Sequence, residues 1–318
     1  MKRGVLLCLA ALAIGVPGTL PLYASSHERG TIRAFVSIEP QAYLVERICG
    51  DSADVRVLVD AGQDPHTYEP TPAQMSALAR SDVYFTIGVP FEAALLPRIN
   101  SLFPNLRIAD TLVGVKPLYF TPDHGGTAHE SHHGNSRGSQ APDPHTWLDP
   151  KRAKVMSENI ASFLKTVDPA RAGIFERNLS ALLKDLDDID AEIARILEPL
   201  KERKIYVFHP AFGYFCESYG LKQEAFEIEG KEPSARQLAG LIESARKEGV
   251  RAVFVQPQFS KKAARAIADS IGGVVVPVNP LPRDYLLELK TLAEKVRLAH
   301  PVPGSATDSG KEAVDNAR

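Results

Sequence analysis

Twice along the chain, short runs rich in β-branched residues alternate with amphipathic stretches. Between these two blocks, Lys151 to Arg203 carries almost no strand signal. The first block reads as strands at 31–38, 54–59, 82–87 and 106–109 with helices at 40–49, 71–80 and 91–100. The second reads as strands at 205–208, 223–228, 250–255 and 273–278 with helices at 211–219, 234–247, 261–271 and 284–298. Strands that return through helices favour parallel pairing, so the pattern predicts an α/β protein of two lobes, each with a roughly four-stranded parallel sheet flanked by helices. The 318 residues are enough for two cores.

The strand-poor stretch predicts the connection. Asp168 and Pro169 suit a helix start, and Ile174, Leu179, Leu182, Leu183, Leu186, Ile189, Ile193, Ile196 and Leu197 follow a helical period with one buried face. About thirty residues at 1.5 Å each give a rod of about 45 Å, long enough to run the height of both lobes. The spacing drifts off a strict heptad, which favours a packed backbone helix over a coiled coil. The expected organisation is a signal peptide at 1–24, a first lobe at 31–150, linking helices at 151–203, a second lobe at 204–300 and a disordered tail at 301–318.

Lys2 and Arg3, the apolar run Val5 to Val16 and the segment Pro21 to Ser26 read as the three parts of a secretory signal, cleaved near Ala24. Leu22 is larger than the usual residue at its position before the cut, which leaves an uncleaved anchor as the alternative. Beyond it, no apolar run approaches the length of a membrane span. A net charge of -2 without a basic stripe argues against nucleic acid as a partner. Cys49 and Cys216 lie far apart in different lobes, and they read as two small buried thiols, with a bridge between them as the alternative in an exported chain.

The chemistry sits in the histidines. Asp-Pro-His-Thr occurs twice, at Asp64 to Thr67 and at Asp143 to Thr146, each followed by an aromatic residue, Tyr68 or Trp147. A third histidine, His209, precedes Pro210 at the end of an apolar run. Proline fixes φ and biases its neighbour toward extended backbone, so each imidazole is carried on a stiff segment. His66 and His209 fall where strands end, which is where ligands of open α/β sheets collect. Three neutral imidazoles from both lobes favour zinc over harder ions, and affinity should fall as pH drops through the imidazole range.

Four further histidines, His124, His129, His132 and His133, lie in a Gly- and Ser-rich tract at 123–140. His129 to His133 formally matches His-Glu-x-x-His, yet the flanking glycines and the lack of an apolar face argue against the helix that signature needs. The tract reads as a flexible loop for auxiliary metal capture.

The runs Asp64 to Pro72, Asp143 to Pro150 and Phe208 to Phe215 resemble the motifs of the metal-binding substrate-binding proteins of ABC transporters, in their zinc-uptake (ZnuA-type) branch. The resemblance covers nearly the whole mature chain, including the His-rich insertion and the backbone helix. It implies a periplasmic, non-catalytic monomer that binds Zn2+ and delivers it to a membrane permease and its ATPase. Many members carry a fourth ligand, an aspartate, where this chain has Asn279. The fourth position stays open between the Asn279 amide, a water, Glu69 or Asp284, with turn capping as the other role for Asn279. Asp143 and Asp149 are candidates to orient an imidazole. The rival from another class is a zinc hydrolase using the same three histidines, for which the sequence offers no persuasive general base. A manganese-type or adhesin-like surface protein that retains metal is a third reading.

Overall fold

The computed structural model describes residues 30–119, 142–227 and 234–300. The first lobe runs β1 (Ile32–Val36), α1 (Glu39–Cys49), β2 (Ala53–Val57), α2 (Pro72–Leu78), β3 (Val83–Thr86), α3 (Pro90–Leu102) and β4 (Arg107–Asp110). Two helices follow, α4 (Pro150–Val167) and α5 (Ala172–Leu197). The second lobe runs β5 (Lys204–Val207), α6 (Gly213–Tyr219), β6 (Lys222–Ala225), α7 (Ala235–Lys247), β7 (Ala252–Val255), α8 (Lys261–Ile271), β8 (Val274–Pro277) and α9 (Tyr285–Ala299).

Both sheets are parallel and share one topology, β2-β1-β3-β4 and β6-β5-β7-β8. Connections leave β1 in one direction and cross to β3 on its other side, and β5 and β7 are related in the same way. Each sheet therefore has a switch point, and the crevice outside its strand ends faces the site described below. The central strands β3 and β7 are buried at every residue, whereas the edge strands β2 and β8 are partly exposed.

Local chemistry sets the helix starts. Thr71 and Gln74 form a capping box that opens α2, with Pro72 in its first turn. Asp168 caps as expected, accepting from the Ala170 N–H at 3.2 Å, but the turn it opens is a 3-10 turn over Pro169–Arg171, and the α-helical part begins at Ala172.

The 26 residues of α5 span about 39 Å. Its buried stripe, Phe175, Leu182, Leu186, Ile189, Ile193 and Leu197, packs on α1 of the first lobe and α9 of the second. A rod packed on both lobes makes hinge bending costly, because opening the cleft would peel apolar side chains away from α1 or α9. One continuous core runs through both lobes, and a smaller one lies between the second sheet and helices α7 and α8, around Phe208, Phe226 and Val255. Polar ties reinforce the joint. Arg283 pairs with Glu39 at 2.6 Å and also reaches Glu46, and the Tyr214 hydroxyl donates to the Asp143 carbonyl at 2.9 Å while accepting the Leu118 N–H at 3.0 Å. Cys49 and Cys216 are both free and buried. Among the described residues no helix is long and apolar enough to cross a membrane.

Candidate metal centre

His66 lies in the loop between β2 and α2, His145 in the turn before α4, and His209 two residues beyond β5. The two Asp-Pro-His-Thr segments fold alike. Asp64 Oδ1 accepts the His66 N–H at 2.9 Å, and Asp143 Oδ1 accepts the His145 N–H at 2.9 Å. In each, the aspartate two residues back closes a small turn on its own backbone, while the intervening proline offers no competing donor. His209 is fixed differently. Gln256, just past β7, donates its amide N–H to the His209 carbonyl at 2.8 Å, and the Phe259 ring stacks on the imidazole at 4.8 Å between centroids and 19° between planes.

These three segments bring the rings together. Centroid separations are 5.5 Å for His66 and His145, 4.9 Å for His66 and His209, and 5.4 Å for His145 and His209. One ring nitrogen from each lies within 4.8 Å of the others, and among the described residues this is the sole cluster of His, Cys, Asp and Glu able to hold a metal ion. Tetrahedral zinc with bonds of about 2.0–2.1 Å needs its nitrogens about 3.3 Å apart, so small inward shifts of the side chains would suffice.

Two of the imidazoles have a carboxylate behind them. His145 Nδ1 is 2.7 Å from Asp143 Oδ1, and His209 Nδ1 is 2.8 Å from Glu227 Oε2. A carboxylate there accepts the Nδ1 proton, which leaves Nε2 as the free lone pair. His209 Nε2 is buried and has no hydrogen-bond partner. Among the described residues His66 has no such carboxylate, and it is the most exposed of the three. Burial and the neighbouring His145 and His209 push its pKa down to about 4, so it is neutral at neutral pH.

The rings face a cavity of about 20 Å³ walled by Val89, Pro90, Trp147, Phe259, Pro280 and Leu281. That is room enough for one ion or one water between the rings. The apolar wall keeps the dielectric low, which strengthens any cation's attraction to the carboxylates behind the rings.

The structure separates the remaining candidates. Asp143 orients His145. Asp149 does not serve an imidazole: it caps α4 through the Lys151 N–H at 3.1 Å and pairs with Arg152 at 2.6 Å. Asn279 Oδ1 accepts the Leu281 N–H at 3.0 Å, and Asn279 lines a separate cavity beside α9 while Pro280 and Leu281 face the imidazoles. Asparagine favours such turns because its side chain mimics a backbone acceptor. Glu69 and Asp284 are exposed and stand outside the histidine cluster. His124, His129, His132 and His133, together with the signal segment and the tail, lie outside the described residues.

Sequence reasoning missed Glu227. Strands β5 and β6 pair with Lys204 opposite Lys222 and Val207 opposite Ala225, and the same offset sets His209 opposite Glu227. The ladder continues that far, with the Glu227 N–H donating to the Phe208 carbonyl at 2.8 Å. The signal was a carboxylate two residues past a strand end, legible only once the register is known.

Comparison with known proteins identifies the family and the fold. The family model described as zinc-uptake complex component A, periplasmic (ZnuA), matches residues 35–296. The zinc-binding protein AdcA of Streptococcus pyogenes serotype M3 (strain ATCC BAA-595 / MGAS315) is 24% identical over 96% of this chain and 63% of its own length, so the chain spans somewhat under two thirds of that relative. A putative metal-binding protein of Chlamydia muridarum is 28% identical over 91% of this chain and 97% of its own. A crystal structure of ZnuA superposes with a TM-score of 0.77 at 38% identity, covering 85% of this chain and 99% of that one.

Proposed function

Since the chain belongs to the zinc-uptake complex component A (ZnuA) family, a family of solute-binding proteins and not of enzymes, we propose that it is a periplasmic carrier that holds one zinc ion on His66, His145 and His209. It hands the ion to the membrane permease of an ABC importer. The observation that carries this reading is the convergence of three ring nitrogens within 4.8 Å around a cavity sized for a single ion. The donor set suits the cargo, because neutral imidazoles favour zinc over magnesium or manganese.

Charge balance supports the same reading. A divalent ion in an apolar cleft needs compensation, and the Asp143 and Glu227 carboxylates, each one imidazole away, are placed to supply it. With zinc bound, the ion's two charges would be matched by these two carboxylates, which stay too far back to be ligands themselves. The long helix α5, packed on both lobes, limits the domain swing that capture and release can use. Release would therefore be driven by contact of the strand-end loops with the permease and not by wide opening.

Metal analysis of the purified mature protein, followed by competition against a chelator, tests the proposal. Wild type should hold one tightly bound zinc, and His209→Ala should weaken it by at least about 100-fold. Deletion of 123–140 should leave that tight site intact and remove only weaker stoichiometry. If the tight site survives His209→Ala and disappears with the loop, the cleft is not the binding site. Delivery is checked by ATP-dependent zinc uptake into vesicles carrying the permease, which should require the loaded protein.

A further inference from the structure

Three imidazoles leave a tetrahedral ion one position short, and Asn279, Glu69 and Asp284 are not placed to fill it. Asn279 spends its amide oxygen on the Leu281 N–H, and Glu69 and Asp284 stand outside the cluster. One polar side chain on the cavity wall has no such engagement. Gln258 lines the cavity together with the three histidines, and its Oε1 and Nε2 are both buried with no hydrogen-bond partner. Buried amides in native proteins are almost always satisfied, so a carboxamide with neither donor nor acceptor engaged by protein calls for a partner that is not protein, an ion or a water.

Its placement is no accident of a loose loop. Gln258 lies in the short segment beyond β7, across the switch point from His209. Gln256 on one side ties this segment to the His209 backbone, with bonds in both directions, and Phe259 on the other stacks on the His209 ring. The residues flanking Gln258 are thus held by the same histidine that faces the ion.

We infer that Gln258 completes the zinc site, its carboxamide oxygen supplying the neutral fourth donor beside His66, His145 and His209. This inference rests on the zinc reading above. Its consequence is a set of three nitrogen ligands and one oxygen ligand with no charge of its own, the ion's charge being balanced entirely from behind by Asp143 and Glu227. An amide oxygen is a weaker donor for zinc than a carboxylate, so the fourth bond would be the labile one. That is useful in a carrier that must give up its ion.

The test compares Gln258→Leu, which keeps size without polarity, and Gln258→Glu with wild type and His209→Ala. Each is read by zinc affinity from chelator competition and by the visible absorption of the Co(II)-loaded protein, which reports donor number and type. Gln258→Leu should still bind one ion, about tenfold or more weaker, with a shifted and altered Co(II) band. Gln258→Glu should bind at least as tightly as wild type, with a third spectrum, because its carboxylate supplies the oxygen. Thermal unfolding of the metal-free variants separates a lost donor from a damaged fold, since a donor role leaves the metal-free midpoint of Gln258→Leu no lower than wild type. If His209→Ala abolishes tight binding while Gln258→Leu matches wild type in affinity and spectrum, the inference is wrong and the zinc reading stands. If His209→Ala binds like wild type, the zinc reading itself fails.

Discussion

Glu227 Oε2 stands 2.8 Å from His209 Nδ1 because each residue lies two positions beyond one of the paired parallel strands β5 and β6, whose register carries on past their ends. Strand register, and not chain proximity, thereby fixes which nitrogen of His209 faces the cleft. Glu227→Gln keeps an acceptor oxygen but removes the charge. Zinc affinity, measured by chelator competition, should fall by about 10–100-fold. An unchanged affinity would show that the carboxylate neither orients the ring nor balances the ion.

Gly213 opens α6 in the second lobe, and a β-carbon there would meet Asp143 Oδ2 at 2.6 Å. Such a contact must displace the carboxylate that orients His145. Gly213→Ala should therefore weaken zinc by about tenfold or more although it touches no imidazole. Isothermal titration of the variant checks this, and a crystal structure should find Asp143 moved away from His145 Nδ1.

His66 makes the metal-free protein sensitive to acid. Its pKa, lowered by burial and by the two neighbouring histidines to about 4, lies below the ordinary value of 6.5 for the unfolded chain. Between those values the unfolded state binds the proton and the folded state does not. Stability is thus complete above pH 6.5 and declines as pH falls toward 4. The slope of the thermal midpoint over that range should flatten in His66→Gln. The same shift keeps His66 available to zinc below pH 6.5, so its share of proton competition with zinc should set in only near pH 4.

Glu92 has the opposite sign. Buried among Ser37, Tyr84 and the N–H groups of Ile87 and Gly88, its carboxyl is pushed up to about 7 by desolvation. The folded state holds a proton that the unfolded state releases above pH 4.5, so this contribution is present below pH 4.5 and is lost as pH rises through 7. Glu92→Gln removes the ionisation. It should gain on wild type by about 2–3 kcal/mol at pH 8 relative to pH 4, read from denaturant unfolding at the two pH values. Equal differences at both would exclude an ionisation cost at this residue.

The chain's alternation of strand and helix sufficed to foresee both parallel sheets and the long helix, because hydrophobic period is a local property that survives in the folded protein. Thr71 with Pro72, and the paired Asp-Pro-His turns, were equally legible, since a cap or a side-chain turn closes within two or three residues. The three histidines could be picked out from their settings.

What the sequence determined by itself is therefore a set of stiff segments, each offering an imidazole at the end of a strand or the start of a helix. Tertiary structure alone decided what surrounds them: Glu227 by the β5 to β6 register, Gly213 by the approach of the second lobe to Asp143, and Gln258 by the β7 loop that folds over His209. The physical reason is range. Caps and periodicity act over a few residues of chain, whereas the partners of a buried ring are set by which distant backbones pack together, and no local pattern in the sequence encodes that distance.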